Sequence, residues 1–595
     1  MTSRSMKKAF LAVPVMAALI LAAAWAASAA ARPGATRPAA ARLTAGRAAD
    51  TPGDPAVLTA MQQELDRSMT ILPKADPGVY FLSYTVYHRS FANVSGSNGG
   101  LLNSSEARGR WLEVQARTGG YQLDDTHKVG DRPNWTSPGT SVALDDDLSV
   151  LRREIWRETD RQFRASAEAL IRVTTSQKVQ VQTTEGAAPD FSREKPHTSI
   201  SPRVDIHVDR KPWEERVRRY TAAFSKSPDV LNSIATFTAQ AVNQYQINSE
   251  GTKLAFGQIH YRLELFVQSK APDGMDINRF ANFDWLDPKD APDDKTVMAQ
   301  LETLVHETQA LDAAPLADPF AGPTLLTGRA AAVFFHEVFG HRAEGFRQKD
   351  IAEGQTFTSK IGEKIMPDFI SIKDDPTESN INGQMLLGYY PFDDEGVPSQ
   401  NVSLVDHGVL KTFLMSRSPL VKVPQSNGHG RRQLGYAPVA RQGNLIVTSS
   451  QGVTNAQLRQ KLIDLVKQQG LTYGLMIDDI EGGFTFTGRG QPQAFQVTPL
   501  VVYRVYADGR PDEMVRGVDI VGTPLVSLTK IVAAGDKPEI FNGYCGAESG
   551  SVPVSAVAPP ILISEMEFAK KESSTDRPPI LPPPAHDPDA GRQQP

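Results

Sequence analysis

The sequence predicts an α+β protein of two domains: a mixed helix-and-sheet N-terminal domain over residues 56–316 and a strand-rich C-terminal domain over residues 317–570 that carries one buried helix. Three observations carry this reading. Hydrophobic spacing switches between periods of about two and 3.6 within the first domain, alternating runs dominate the second, and residues 328–339 are apolar on nearly every side. A chain of 595 residues, 40% hydrophobic and 22% charged, is long enough for two or more substantial cores.

Along the chain, Gly78 to Phe91 alternates and is rich in Tyr, Val and Ser, as a strand requires. Ser95 to Gly100 lacks the helix-opening pattern of a phosphate loop and reads as a turn. Asp145 to Thr174 and Trp213 to Phe224 place apolar residues at helical spacing. Gly328 to Phe339 forms the buried helix, with Thr327 placed to cap its N-terminus. Val402 to Asp406 and Val409 to Met415 flank His407 and Gly408 as a hairpin; Gln496 to Tyr506 and Ile561 to Phe568 are further strands. Asn455 to Gln469 reads as an amphipathic helix that turns Leu458, Leu462, Leu465 and Val466 inward. Asp393, Asp394 and Glu395 resemble a calcium cluster but lack ligand periodicity, so a turn is the better reading.

The chemistry concentrates at the end of the buried helix, in His336, Glu337, Val338, Phe339, Gly340 and His341. Two imidazoles and a carboxylate are the parts of a hydrolytic zinc centre, with Glu337 as its base. With 11 histidines in 595 residues, such a string arises by chance in about one chain in a hundred, so context has to carry the argument. In a regular helix, histidines five positions apart stand roughly 140° apart and cannot share one ion. A π-bulge, or a helix that stops between them, removes the conflict, and Gly340 suits either. For a third ligand, Glu344 follows one turn later, while Cys545, the only cysteine, lies in a glycine-flanked loop.

From about Pro323 to Phe568 the chain resembles the catalytic subunit of the TldD/PmbA metalloprotease family. The matching patches occur in family order: HEVFGH with RAEG at Arg342 to Gly345, FDDEGVPSQ at Phe392 to Gln400, DHGVLKTFLMSR at Asp406 to Arg417, NGHGRRQ at Asn427 to Gln433, EGGFTFTGRG at Glu481 to Gly490, and GYCGAESGSVPV at Gly543 to Val554. Residues 56–316 share the general layout, including INSEGTKLAFGQIHYRLELFVQSK at Ile247 to Lys270. The resemblance implies that His336, His341 and Cys545 hold Zn2+, that Glu337 is the catalytic base, and that Glu344 orients His341. It also implies peptide or unfolded polypeptide substrates held as an added strand, and a dimer, either with a second copy or with a TldE/PmbA-like subunit that lacks the zinc motif. His429, Arg431 and Arg432 fall in a matched patch and become candidates for binding substrate or stabilising an oxyanion.

A net charge of −5 without a basic run gives no footprint for nucleic acid. Arg4, Lys7 and Lys8 precede an apolar run from Ala9 to Ala24, and Ala27, Ser28 and Ala29 form a cleavage signal, so residues 1–29 read as a secretory signal peptide. The mature chain is then periplasmic or secreted, without a membrane span, and one cysteine permits no internal disulfide. Residues 30–55 read as a flexible leader and 571–595 as a disordered Pro-rich tail. The function expected is an exported zinc metallopeptidase. Two other classes stand beside it: an exported binding or assembly protein with a structural zinc, and a partner-binding protein of the gyrase-modulator type.

Overall fold

The computed structural model describes residues 55–129, 139–179, 188–224, 227, 229–349, 353–488, 495–571 and 577–581. The expected signal peptide, the leader through residue 54 and most of the tail lie outside the described residues. No helix among the described residues is long and apolar enough to cross a membrane.

The first half is built on a seven-stranded sheet. Its long strands are β1 (Val79–Ser97), β2 (Gly100–Thr118), β3 (Val230–Asn248), β4 (Lys253–Lys270) and β5 (Asp276–Trp285), joined by the short segments Gly139–Val142 and Thr198–Ile200. The expected turn closes β1 on β2 through Asn98 and Gly99, both with positive φ, a conformation in which a hairpin turn follows the strand twist. Four helices, α1 (Pro55–Ile71), α2 (Leu148–Val179), α3 (Arg210–Phe224) and α4 (Asp294–Ala313), accompany the sheet. One face of the strands is apolar, with Leu82, Tyr84, Val94, Phe237 and Leu263 buried in two clusters with these helices. The opposite face is polar and meets the second half: Tyr87 Oη donates to Asp394 Oδ1 at 3.2 Å, and Gln258 Nε2 donates to the Tyr389 carbonyl at 3.0 Å.

The second half holds two large sheets around one helix. In chain order its main elements are β6 (Phe320–Leu326), α5 (Gly328–Val338), β7 (Ile370–Asp374), β8 (Val402–Asp406), β9 (Asn444–Ser449), α6 (Asn455–Gln468), β10 (Tyr473–Thr485), β11 (Phe495–Tyr506), β12 (Val518–Gly522), β13 (Ile531–Gly535), β14 (Glu539–Ala547), β15 (Gly550–Ala558) and β16 (Ile561–Lys570). A six-stranded sheet runs from the short strand Val409–Leu410 through β8, β7, β9 and β15 to β14 at its edge. An eight-stranded sheet runs from the short strand Gly452–Val453 through β13, β16, β12, β11 and β10 to β6, with the short strand Glu513–Val515 on β11, and returns on itself, because β16 also pairs with β6. The α+β expectation holds, and each large sheet draws its strands from one side of residue 316.

Helix α5 is buried along its whole length, as its all-round apolar sequence demands; Phe334 meets Phe495 of β11 edge-on at 5.8 Å. Thr327 precedes the first turn, but its hydroxyl donates to the Asp478 carbonyl at 2.8 Å instead of capping the helix. Helix α6 forms as expected with a Thr454–Gln457 capping box; Leu458, Leu462 and Val466 are buried and Leu465 only partly so. The hairpin at His407 and Gly408 also forms, with both residues at positive φ, but its second strand stops at Leu410. The chain beyond it leaves the ladder because Leu414 pairs with the segment around Glu344: its N–H donates to the Ala343 carbonyl and its carbonyl accepts from Gly345.

Candidate metal centre

His336 and Glu337 occupy the last turn of α5. The helix ends at Phe339, whose φ of −109° departs from the helical value, and Gly340–Ala343 continue as a single 3-10 turn. The helix therefore stops between the two histidines, which is one of the two devices their spacing calls for. Gly340 serves the site in a way the sequence did not suggest. Its φ is not positive; instead a Cβ there would lie 1.9 Å from Gln442 Oε1, so the glycine makes room for the Gln442 amide. That amide packs beneath the turn and donates to the His336 carbonyl at 3.4 Å.

Cys545 comes from β14, the edge strand of the six-stranded sheet, paired to Val552 on β15. The expected glycine-flanked loop is thus a strand, and its thiol is held in place by a ladder. His336 Nε2 lies 3.2 Å and His341 Nε2 3.3 Å from Cys545 Sγ, with the two rings 5.0 Å apart and nearly perpendicular. These three donor atoms lie within 4.8 Å of one another, and they form the one such group among the described residues. A tetrahedral zinc would separate imidazole nitrogen from thiolate sulfur by about 3.6 Å, so the observed spacing needs an expansion of only a few tenths of an ångström.

Charge around this group is tightly organised. Burial works against ionisation of Cys545, yet the two imidazoles hold its thiol well below the ordinary value, while the thiolate and Glu344 raise His341 despite its burial. Glu344 Oε2 stands 3.3 Å from His341 Nδ1 and accepts from Arg347 Nε at 2.9 Å; Arg441 Nε is 3.4 Å from its other oxygen. Burial alone would push this carboxyl up, but His341, Arg347 and Arg441 bring it down to about 2. Arg441 also donates to the Cys545 carbonyl at 2.6 Å, so one guanidinium ties the Glu344 side to the Cys545 strand.

Glu337 is different. Burial raises its carboxyl pKa against the pull of the imidazoles, its Oε2 has no hydrogen-bond partner, and that atom lies 3.9 Å from His341 Nε2. Its Cγ packs on Gly483, where a Cβ would come within 2.9 Å, and its own carbonyl accepts from Arg342 Nη1 at 3.1 Å. His336 Nδ1 is likewise buried without a partner. Buried polar atoms without partners are rare and mark places where a ligand or water belongs.

The group opens onto a cavity of about 260 Å³ bounded by Val333, residues 481–485 of β10 and residues 544–548, with Arg347 and Thr487 in its wall. At its mouth Arg347 grips Glu548 through two hydrogen bonds of 2.9 and 2.7 Å. His429, Arg431 and Arg432 do not reach this cavity, which corrects the expectation of a substrate or oxyanion role. His429 is buried against Asp374 at 3.3 Å, Arg431 donates to the Gln442 carbonyl and stacks on Tyr390, and Arg432 pairs with Glu113 of β2 at 2.5 Å. Asp393 to Glu395 form the expected turn, with Asp393 accepting from Glu395, Val397 and Gly430 backbone amides. Sequence reasoning missed Arg347, Arg441 and Gln442, which belong to no metal motif and are brought to the site by folding alone.

The description PmbA/TldA metallopeptidase C-terminal domain matches residues 321–570. Residues 321–570 are a domain of the TldD/PmbA metallopeptidase family. Among its relatives in this family is a metalloprotease of Methanothermobacter thermautotrophicus, 28% identical over 447 residues, which make up 70% of this chain and 87% of the relative. A metalloprotease TldD homolog of Haemophilus influenzae is 30% identical over 250 residues, 41% of this chain and about half (47%) of the relative. The crystal structure of TldE from Thermococcus kodakarensis shares the fold with a TM-score of 0.56 at 15% identity, covering 86% of this chain and all of the other.

Proposed function

We propose that this protein is a zinc-dependent peptidase whose metal is held by His336 Nε2, His341 Nε2 and Cys545 Sγ, with Glu337 as general base. The observation that carries the reading is the unpartnered Glu337 Oε2, buried beside the converging donor atoms and facing an open cavity. Three protein donors leave a fourth tetrahedral position, as a hydrolytic centre needs, whereas a structural zinc calls for four. Bound zinc supplies Lewis acidity, polarising a peptide carbonyl and lowering the pKa of a water to about 7.

The chain's own residues do the rest. Glu337, its carboxyl pKa raised by burial, accepts the proton of the attacking water and delivers it to the leaving amine. Glu344 keeps the proton of His341 on Nδ1 and so leaves Nε2 free to ligate. Residues 481–485 of β10 pair with β11 on one side only among the described residues, and β14 ends its sheet; both border the cavity. A peptide added as a strand to such an edge would be held through its backbone, with broad tolerance of side chains. Assembly with a second copy or a TldE-like subunit, and export under the signal peptide of residues 1–29, belong to the same proposal; the mass of the mature N-terminus tests export.

The decisive experiment measures metal content and peptide cleavage for wild type, Glu337→Gln and Cys545→Ala. Glu337→Gln should keep its zinc and lose cleavage; Cys545→Ala should lose zinc. Full activity in Glu337→Gln would sink the mechanism, and undiminished zinc in Cys545→Ala would remove the thiolate from the ligand set.

A further inference from the structure

The stretch of β10 that lines the metal cavity is tied from behind to the helix that carries Glu337. Within residues 481–485, Gly483 lies opposite Val497 of β11 and Thr485 opposite Phe495, and both partners are buried with α5 in one core. Successive residues of a strand point to opposite faces, so Gly483 and Thr485 stand on the α5 side while Phe484 points to the other face. Phe484 and Phe486 are 49% and 39% exposed and meet edge-on at 5.1 Å, so the outer side of this segment is turned to solvent. The ladder with β11 ends at Thr485, and from there the chain is gripped from its inner side.

Arg342 supplies that grip. It stands buried in the single 3-10 turn after α5. Its Nη1 donates to the Glu337 carbonyl at 3.1 Å and to Thr485 Oγ1, and its Nη2 donates to the Phe486 carbonyl at 3.2 Å. Arg347 adds a second hold two residues further on, its Nη1 donating to Thr487 Oγ1 at 2.8 Å. The last carbonyls of a helix have no partner within it, and a cationic side chain placed there satisfies them and suits the helix dipole. One guanidinium therefore closes the end of the helix that bears the base and fastens the strand that lines the cavity beside it. Its three acceptors are neutral, two carbonyls and a hydroxyl. A buried guanidinium held by neutral groups is a weak source of stability; what it supplies is geometry, because a planar fork sets several acceptors in fixed relation where an ammonium on a flexible stem does not.

We propose that Arg342 is a positioning residue for peptide cleavage: it fixes Glu337 relative to residues 481–485, so that a peptide laid along that segment presents its cleaved bond to the base. The proposal rests on the reading of the cavity as a peptide site. Arg342 stands outside the cavity lining and acts through the helix end and the strand. Misplacing reacting groups by about 1 Å can cost about 10²-fold in rate, so the effect of loosening this tie belongs in kcat. Backbone bonds between peptide and strand survive a small shift of that strand, so KM holds.

The test uses the full zinc-loaded protein and an unstructured octapeptide, with kcat and KM read by mass spectrometry and zinc affinity by competition with a chromophoric chelator. Arg342→Lys should lower kcat about 30- to 100-fold, keep KM within about threefold and leave zinc affinity unchanged. Thr485→Val removes the acceptor on the strand without altering the turn that carries His341; it should lower kcat about 5- to 10-fold, again at constant KM and zinc affinity. The double variant should be no slower than Arg342→Lys alone, because both changes break the same contact. Full kcat in Arg342→Lys, a kcat loss that tracks lost zinc, a rise in KM that matches the fall in kcat, or losses that multiply in the double variant each overturn the proposal. If Arg342→Lys does not fold, Thr485→Val decides: a lower kcat at constant KM and zinc affinity supports the role, and an unchanged kcat overturns it. Absence of cleavage by wild type defeats the peptidase reading and this proposal with it, whereas cleavage that both variants match defeats the proposal alone.

Discussion

Two buried polar clusters in the second half of the chain draw on the same residue types but are built for different ends. Around His336, Glu337, His341 and Cys545, donor atoms converge, two polar atoms lack partners, and the group borders a cavity. Around Asp393, Asp394, Glu395, His429, Arg431 and Arg432, each side chain is met by protein, with Arg432 Nε left without a hydrogen bond, and the cluster ties the C-terminal loops to the N-terminal sheet. Arg432 pairs with Glu113, Tyr87 bonds Asp394, and Gly435 donates to Glu113 at 2.8 Å. Residue type does not separate a reactive site from a structural tie. What separates them is whether the polar atoms converge beside an open cavity or are spent on neighbouring protein.

That contrast can be broken from either side. The largest effect is expected at Glu337. Glu337→Gln should lower kcat about 10²- to 10⁴-fold while metal content holds and thermal stability stays level or rises, since a buried carboxylate is relieved. A matching loss of stability would mean that Glu337 is a tie like those in the other cluster. Arg432→Ala should do the reverse. It leaves Glu113 buried without its counter-charge, and about 3–5 kcal/mol of unfolding free energy should disappear in a denaturant titration, with zinc retained.

Glu344 tests the boundary between the two kinds, because it touches a candidate ligand yet is held in ion pairs by Arg347 and Arg441. Glu344→Gln should weaken zinc binding about 10- to 100-fold, measured by competition with a chromophoric chelator. No change in affinity would class it with the ties. The smallest effect concerns Asp284, buried in the sheet with His260 and Arg262. Burial would raise its pKa, but His260 and Arg262 outweigh this and bring it down to about 2. A carboxyl whose folded pKa is depressed lends stability above its unfolded value near 4 and loses it as pH falls through the folded value. Wild type should therefore lose about 2 kcal/mol between pH 4 and 2 that Asp284→Asn does not lose, as read from urea unfolding at each pH.

Much of the fold was legible because it rests on local periodicity. Alternation marked β1 and β11, helical spacing marked α2, α3 and α6, and the unbroken apolar run marked α5 as buried. Boundaries were less legible where distant contacts decide them. Val409 to Met415 has the composition of a strand, but the chain beyond Lys411 is drawn off to pair beside Glu344, and Thr327 gives its hydroxyl to Asp478 rather than to its own helix. At the candidate site, His336, Glu337 and His341 could be named from their order in the chain. Cys545 needed the family resemblance, and nothing in the neighbourhood of Arg441 or Gln442 signals that they close the site from behind.

The sequence by itself determined which side chains could do chemistry and that a regular helix could not join His336 to His341, since five steps of about 100° separate them. Only the tertiary structure decided how the conflict is resolved. The helix ends at Phe339, Gln442 fills the space that Gly340 leaves, and an edge strand brings a thiol from roughly two hundred residues away to within 3.3 Å of both imidazoles. Local preference acts over a turn or two of chain, whereas a site made from separate strands and a helix end depends on packing between them, which no short stretch of sequence encodes.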